Sequence, residues 1–178
     1  SARELARELQ LPLERFTVIA PTPSPFWKPV DVASAAPYVL FVAGPEKRKN
    51  APFFFDAFGR AFPEREVRLI VAGTLSDADE RALAKAPIAF ERERPSDAAL
   101  RERYSGALAV AVPSYAEGYG LTAVEAMACG AAVIASDASA LPEACDGAAL
   151  LVDCSDAVSW ASALRRVADD VALRAGLR

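Results

Sequence analysis

The segment PSYAEGYGLTAVEAMACG, which spans Pro113–Gly130, combines the end of a predicted strand, a glycine loop and the start of a helix. The continuous apolar run before it, Ala107–Val112, predicts a strand that is buried on both faces of a parallel sheet. Gly118 and Gly120 permit a tight turn, and a helix is predicted over Leu121–Cys129. The helical spacing places three apolar residues on one face: Leu121, Val124 and Ala128. Because the first amides of a helix are unpaired, a glycine turn that leads into a helix predicts an anion site.

Two carboxylates flank this predicted anion site. Glu117 lies in the loop, whereas Glu125 lies on the helix, about 6 Å along its axis at a rise of ~1.5 Å per residue. The two side chains therefore cannot share one helical face, but they can flank a ligand whose charged middle rests on the amides of Gly118–Leu121. A nucleoside diphosphate sugar has this form, with a sugar at one end, a diphosphate in the middle and a ribose at the other.

Residues 113–153 resemble the signature of retaining glycosyltransferase family 4, the glycosyl transferases group 1 domain. The resemblance rests on the EGYGL loop at Glu117–Leu121, the EAMACG helix at Glu125–Gly130 and the SALPE turn at Ser139–Glu143. It extends more loosely over nearly the whole chain. The resemblance implies an α/β fold with a Rossmann-like, doubly wound parallel sheet, which is one half of a GT-B fold.

The resemblance also implies roles for individual side chains. Glu117 would contact the transferred sugar, Glu125 the ribose hydroxyls, and Lys49 the diphosphate and the leaving group, with Arg48 beside it. One departure is that the arginine found in the family five residues before the lysine is replaced here by Gly44. We expect the remaining donor-binding residues to be Gly44 itself, Gly73, Gly118, Tyr119, Gly120, Leu121 and Thr122.

Strand and helix patterns alternate along the chain, which predicts a parallel sheet covered on both faces. The loops after residues 43, 73, 90 and 112 should then gather at the carboxyl edge of the sheet, where such folds bind ligands. Two further strands are predicted, one at Phe16–Ala20 and a short one at Ile88–Phe90. We expect residues 1–178 to form one nucleotide-sugar donor-binding domain, with residues 1–30 as a linker and first strand.

Composition excludes several functional classes. The chain of 178 residues has no histidine, which rules out Ser-His-Asp and Cys-His catalysis and histidine metal sites within it. The one Asp-x-Asp in the chain, Asp77-Ala78-Asp79, lies in the first turn of a predicted helix and not at the end of a strand, so no metal is expected. The three cysteines form no disulfide framework, and the net charge of −4 gives no support for nucleic-acid binding. With no apolar run of the ~20 residues that a membrane helix needs, we expect a cytoplasmic protein. Attachment of the intact enzyme to the inner face of the membrane stays open.

The sequence predicts a fragment of an enzyme that transfers a sugar from a UDP- or GDP-sugar to an acceptor hydroxyl with retained configuration. The nucleotide sugar is a substrate, and no cofactor is expected. We expect the chain to be inactive alone, because the resemblance implies an N-terminal acceptor domain that is missing here. One alternative is a non-catalytic nucleotide-sugar-binding domain, which would explain the glycine at position 44. A dinucleotide-dependent enzyme is disfavoured because no G-x-G-x-x-G follows the first strand.

Overall fold

A parallel sheet of six strands forms the centre of the computed structural model, which describes residues 2–33, 36–64 and 66–177. The strands are β1 (Tyr38–Ala43), β2 (Arg68–Gly73), β3 (Phe90–Glu93), β4 (Ala109–Val112), β5 (Val133–Ser136) and β6 (Leu150–Val152). Their order in the sheet is β3-β2-β1-β4-β5-β6. β2 and β3 therefore extend the sheet on one side of β1, and β4, β5 and β6 extend it on the other side. The predicted doubly wound, Rossmann-like sheet is confirmed.

Helices cover both faces of this sheet. In chain order, the helices are α1 (Ala2–Leu9), α2 (Ala51–Ala61), α3 (Asp77–Lys85), α4 (Asp97–Gly106), α5 (Leu121–Ala128), α6 (Leu141–Cys145), α7 (Ala157–Asp169) and α8 (Val171–Gly176), and those that form the two layers on the sheet are α2 to α7. One core layer contains residues of α2, α3 and α7, and the other contains residues of α4, α5 and α6. Within the described part of the chain, no helix has the length and apolar character needed to cross a membrane.

The central strands are apolar throughout because each of their faces meets a helix layer. Val39 and Phe41 of β1 belong to the core layer shared with α2 and α7, whereas Tyr38 and Leu40 belong to the opposite layer. All four side chains are at most 4% exposed. A strand that is covered on both sides loses the alternation of polar and apolar residues, which is why the pattern YVLFVA is continuous.

The predicted strand at Phe16–Ala20 is wrong. This segment has no strand assignment, and its side chains Val18 and Ile19 are 66% and 84% exposed. Its β-branched residues favour an extended chain, but a strand forms only where a neighbouring strand accepts its hydrogen bonds.

The short strand β3 lies further along the chain than predicted, at Phe90–Glu93 and not at Ile88–Phe90. Its sequence, FERE, carries no apolar pattern that would mark a strand. β3 is an edge strand, and its charged side chains form ion pairs with neighbouring elements: Glu91 with Arg68, Arg92 with Glu80, and Glu93 with Arg103. The loop that reaches the carboxyl edge of the sheet therefore begins after residue 93.

The buried face of α5 also differs from the prediction. Ala123 and Ala126 are fully buried, and Cys129 just beyond the helix is 1% exposed. Leu121, which was assigned to the same face as Val124, is 47% exposed. The small side chains face the sheet because α5 packs closely against β4 and β5, where a leucine would not fit.

We expect Trp160 to be a main contributor to stability, because its side chain is completely buried against Phe54 and its Nε1 donates to the Asp153 carbonyl at 3.0 Å. Trp160→Ala should lower the free energy of unfolding by about 3–5 kcal/mol through the cavity it leaves. Trp160→Phe should cost less because it keeps most of the apolar contact. Urea denaturation measures both, and Val158→Ala, at a site that is 68% exposed, is the control. A loss for Trp160→Ala no larger than for the control would contradict this view of the core.

Candidate active site

The strand order creates a crevice between the loops that follow β1 and β4. These two strands are neighbours, with Leu40 paired to Val110, but the chain leaves them towards opposite sides of the sheet. In open parallel sheets a crevice opens outside the carboxyl ends of the strands where the order reverses in this way, and ligands bind there. The residues singled out from the sequence follow these two strands, Lys49 after β1 and Glu117 after β4.

The loop after β1 is held to the loop after β4 by hydrogen bonds. It contains a short 3-10 helix, Lys47–Lys49, which ends at Asn50 in a left-handed conformation with φ of 58°. The buried Asn50 side chain donates to the carbonyl of Pro113 at 3.1 Å and to that of Cys154 at 2.9 Å. The Tyr115 amide donates to the Arg48 carbonyl at 2.8 Å. These bonds bring the side chains of Arg48 and Lys49 over the start of the glycine loop.

Glu117 binds both cations of the preceding loop. Its Oε1 accepts from Lys49 Nζ at 2.9 Å and from Ser114 Oγ at 2.8 Å, while its Oε2 accepts from Arg48 Nη1 at 2.6 Å. The side chains of Glu117 and Lys49 are 9% and 12% exposed, whereas that of Arg48 is 40% exposed. Burial raises the pKa of the Glu117 carboxyl, but the hydrogen bonds from Lys49, Ser114 and Arg48 outweigh it and hold the pKa below its usual value. Glu117 is therefore a carboxylate at neutral pH.

The glycine loop ends in the N-terminus of α5, as predicted. Gly120 precedes the helix with φ of 100°, and a Cβ there would lie 2.8 Å from Leu141 Cδ2, so glycine is required for both reasons. Leu121 and Thr122 form the first turn, and the first amides of a helix have no intrahelical acceptor. Gly120 has no side chain that could cap them. The amides and the positive end of the helix dipole therefore stay available to an anion.

A serine after β5 braces this loop from the other side. Ser139 has φ of 58°, and its Oγ donates to the Glu117 carbonyl at 3.1 Å and accepts from the Glu117 amide at 3.4 Å. Ser136 Oγ also donates to the Ser114 carbonyl at 2.6 Å. The SALPE turn, which carries part of the family resemblance, thus fixes the backbone of the residue that binds the two cations.

A cavity of about 540 Å³ opens beside this brace. Its walls come from the glycine loop, the turn after β5 and the extended N-terminal segment: Val18, Ile19, Ala20, Glu117, Gly118, Tyr119, Ser139, Ala140 and Glu143. Tyr119, one of the expected donor-binding residues, is partly exposed and lines the cavity. The cavity combines carboxylates, a hydroxyl and an aromatic ring, which suits a ligand rich in hydroxyl groups.

Glu125 lies apart from the ion-paired cluster, on the side of α5 that faces the start of α4. Burial, followed by the charge of Asp97, raises the pKa of its carboxyl above the usual value. A partly buried carboxylate of this kind gains from a neutral hydrogen-bond donor such as a hydroxyl group, which can satisfy its oxygens. Glu117 and Glu125 thus have different environments. Two cations are bound to the Glu117 carboxylate, whereas the pKa of Glu125 is set by burial and a neighbouring carboxylate.

The two candidate glycines in the strand-end loops differ in what they permit. Gly73 has φ of 109°, and a Cβ there would lie 2.6 Å from the Ala43 carbonyl, so it lets the ends of β1 and β2 approach closely. A Cβ on Gly44 would collide with the Glu46 carboxylate, which is the end of a flexible side chain. Position 44 therefore has room for a side chain if Glu46 moves, and an acidic group stands where the sequence resemblance leads one to expect a base.

Three residues of the site were not among those predicted from the sequence: Asn50, Ser114 and Ser139. Asn50 and Ser139 had a local signal, Asn50 in the run Arg48-Lys49-Asn50 after a strand and Ser139 as the first residue of the SALPE turn, whereas Ser114 had none. As for metals, residues 2–33, 36–64 and 66–177 contain no group of three or more Cys, Asp or Glu side chains placed to hold an ion.

Known proteins resemble the chain both in sequence and in fold. The D-inositol 3-phosphate glycosyltransferase of Corynebacterium jeikeium is 36% identical over 125 residues, which is 63% of this chain and 30% of that protein. The enzyme of the same name from Corynebacterium kroppenstedtii is 33% identical over 151 residues, which is 76% of this chain and 33% of that protein. The chain thus spans about a third of the length of these curated relatives.

Among solved structures, the sucrose-phosphate synthase of Thermosynechococcus elongatus superposes with a TM-score of 0.77 at 26% identity, covering 99% of this chain and 49% of that one. This likeness identifies the sheet and its helices as a GT-B glycosyltransferase fold. The family model for glycosyl transferases group 1 matches residues 36–170, which include both strand-end loops of the crevice. The chain belongs to the glycosyl transferases group 1 family.

Proposed function

We propose that this chain is the donor-binding domain of a retaining glycosyltransferase that uses a UDP- or GDP-sugar. The observation that carries the proposal is the meeting of Lys49 and Glu117 at the crevice between β1 and β4, beside the uncapped N-terminus of α5. Cations and free amides together suit a diphosphate, and the adjacent cavity suits a sugar. Membership of the glycosyl transferases group 1 family supports the same reaction class.

In this proposal the diphosphate lies between Lys49 and the amides of Leu121 and Thr122. Arg48 is more exposed and closes the diphosphate from the solvent side. Glu125 accepts hydrogen bonds from the ribose hydroxyls, because it is partly buried and no hydrogen bond or ion pair described in the structure satisfies it. The sugar enters the cavity beside Glu117, where Ser139 and Glu143 offer polar contacts.

The reaction breaks the bond between the anomeric carbon of the sugar and the terminal diphosphate oxygen. An acceptor hydroxyl attacks from the same face, so that the new glycosidic bond retains the configuration, and the hydroxyl proton passes to the departing diphosphate oxygen. The contribution of this chain is electrostatic: Lys49 and the helix amides stabilise the charge that develops on the leaving diphosphate. The acceptor site belongs to a second, N-terminal domain in this proposal, which fits the greater length of the relatives.

A second candidate is a domain that binds a nucleotide sugar without catalysing its transfer. The specific observation in its favour is that Gly44 replaces the arginine expected from the family, with the carboxylate of Glu46 close to the position that an arginine side chain would enter. The two candidates share one binding site, so binding of nucleoside diphosphates tests what they have in common.

We expect Lys49→Ala to weaken the binding of UDP and GDP by about 1.5–3 kcal/mol, the usual contribution of a hydrogen bond to a charged group. Isothermal titration calorimetry in EDTA measures the affinity and tests at the same time whether binding needs a divalent metal. Lys47→Ala is the matched control, because Lys47 belongs to the same 3-10 helix but is exposed. Equal losses in the two variants would show that Lys49 does not contact the diphosphate.

We expect Gly44→Arg to strengthen diphosphate binding roughly tenfold, because it adds a cation beside Lys49. The φ of Gly44 is not in the left-handed region, and the atoms that a side chain would meet belong to the flexible Glu46 and Lys49 side chains. Gly44→Gln is the control for bulk without charge. Affinity for UDP or GDP that is unchanged in the arginine variant would place the diphosphate away from position 44.

We expect Glu125→Ala to weaken UDP and GDP roughly tenfold or more and to leave inorganic pyrophosphate unaffected, because pyrophosphate has no ribose. The comparison is made within one variant, so a general loss of folding would reduce the affinity for both ligands. Competition titrations with both ligands give the two ratios. Parallel losses for pyrophosphate and nucleotide would remove Glu125 from the ribose site.

A further inference from the structure

Glu117 is already committed to three hydrogen-bond donors before any ligand arrives. A carboxylate has about four acceptor sites, and those of Glu117 receive Lys49, Arg48 and Ser114. One site remains for a ligand. This carboxylate is therefore the counter-ion of the two cations that would hold a diphosphate, as well as an available acceptor for a sugar hydroxyl.

Because of its position, the Glu117 charge should interact differently with the sugar-bearing diphosphate, which is the substrate, and with the free diphosphate, which is the product. An anion held by Lys49 Nζ comes close to Glu117 Oε1, because these two atoms are 2.9 Å apart. The free nucleoside diphosphate ends in a phosphate with a second ionisable oxygen, so it brings an additional negative charge near the carboxylate and no hydroxyl at that end. The sugar conjugate lacks this charge and places hydroxyl groups there, one of which can fill the remaining acceptor site.

The surroundings prevent Glu117 from avoiding the repulsion. Its side chain is 9% exposed, Ser114 Oγ holds one oxygen, and Ser139 binds both the amide and the carbonyl of its backbone. A carboxylate fixed in this way cannot rotate away from an arriving anion. Arg48 has more freedom, since it is 40% exposed.

We propose that Glu117 is a specificity determinant that favours the sugar-bearing diphosphate over the free diphosphate, and so promotes release of the nucleotide product. The inference rests on the proposed function, because it assumes that a nucleoside diphosphate occupies Lys49. It adds to that function a reason for a carboxylate to be paired with the diphosphate-binding cations.

The test is calorimetry with UDP and UDP-glucose, and with GDP and GDP-mannose, on the wild-type chain and Glu117→Gln. Whichever nucleotide the wild type binds, UDP or GDP, we expect Glu117→Gln to bind that free diphosphate roughly fivefold more tightly than the wild type does, because a like charge is removed. The affinity for the sugar conjugate should stay the same or fall, because the amide oxygen can still accept one hydrogen bond. Glu46→Gln removes the same charge 3.9 Å from Arg48 on a side chain that is 52% exposed, and it should change the ratio by less than about twofold because exposed charges are screened.

A pH series adds a measurement that a purely structural role would not affect. The terminal phosphate of a free diphosphate takes up a proton near pH 6 and is then attracted less by Lys49 and Arg48, so a lower pH should favour the sugar conjugate. This change should be larger in Glu117→Gln than in the wild type, because in the wild type the lost attraction is partly offset by the lost repulsion from Glu117. The charged groups around Glu117 are Arg48 and Lys49, with Glu46 beyond Arg48 and Glu143 on the wall of the cavity. The lowered pKa of Glu117 keeps it ionised over this range.

The outcomes separate the inference from the function on which it rests. If the wild type binds nucleotides and Glu117→Gln leaves the ratio between the free and sugar-bearing ligands unchanged, the specificity role is wrong and the donor site stands. If Glu117→Gln weakens both ligands equally, the carboxylate only braces the loop, which also overturns the inference. If neither nucleotide pair binds the wild type, the proposed function fails and the inference fails with it.

Discussion

The ion pairs of one nearly buried carboxylate with two cations are the interaction on which the site depends. Charges with so little exposure are tolerated only when they are paired and hydrogen-bonded, and Glu117 meets this condition through Lys49, Arg48 and Ser114. The pairing requires that the loops after β1 and β4 lie side by side. The strand order provides this, because the two strands are neighbours although 65 residues separate Ala43 from Ala109, with β2 and β3 between them in the chain. The order of the strands therefore determines which charged side chains meet in the crevice.

Neutral hydrogen bonds hold this arrangement in place. Asn50 ties the loop after β1 to the end of β4, and Ser139 ties the turn after β5 to the glycine loop. Each of these residues adopts a left-handed conformation that costs free energy, and both asparagine and serine here recover it through side-chain contacts to the backbone. A site held in this way is organised before the ligand binds, which reduces the entropy lost on binding. The exception is the position of Gly44, where the family cation is replaced and the site is less basic.

Much of the fold follows from local patterns. The continuous apolar runs at Tyr38–Ala43 and Ala109–Val112 mark strands buried on both faces, and the serines Ser76 and Ser96, typical N-cap residues, cap α3 and α4. Patterns failed where a residue's environment is set by distant parts of the chain. Phe16–Ala20 has a strand composition but no neighbouring strand, and the charged β3 is a strand only because β2 lies beside it.

Local sequence was enough to identify the residues that could form the site: a basic loop with Lys49, a glycine turn with Glu117, and a helix with Glu125, each recognisable from a few neighbouring residues. Their type and spacing are local properties, so one chain suffices to find them. Only the tertiary structure decided that Glu117 binds Lys49 and Arg48 while Glu125 binds neither. It also selected Ser139 as the brace of the loop. The physical reason is that hydrogen bonds and ion pairs join groups 22 to 69 residues apart, and their partners depend on how the strands are ordered and on which faces are buried.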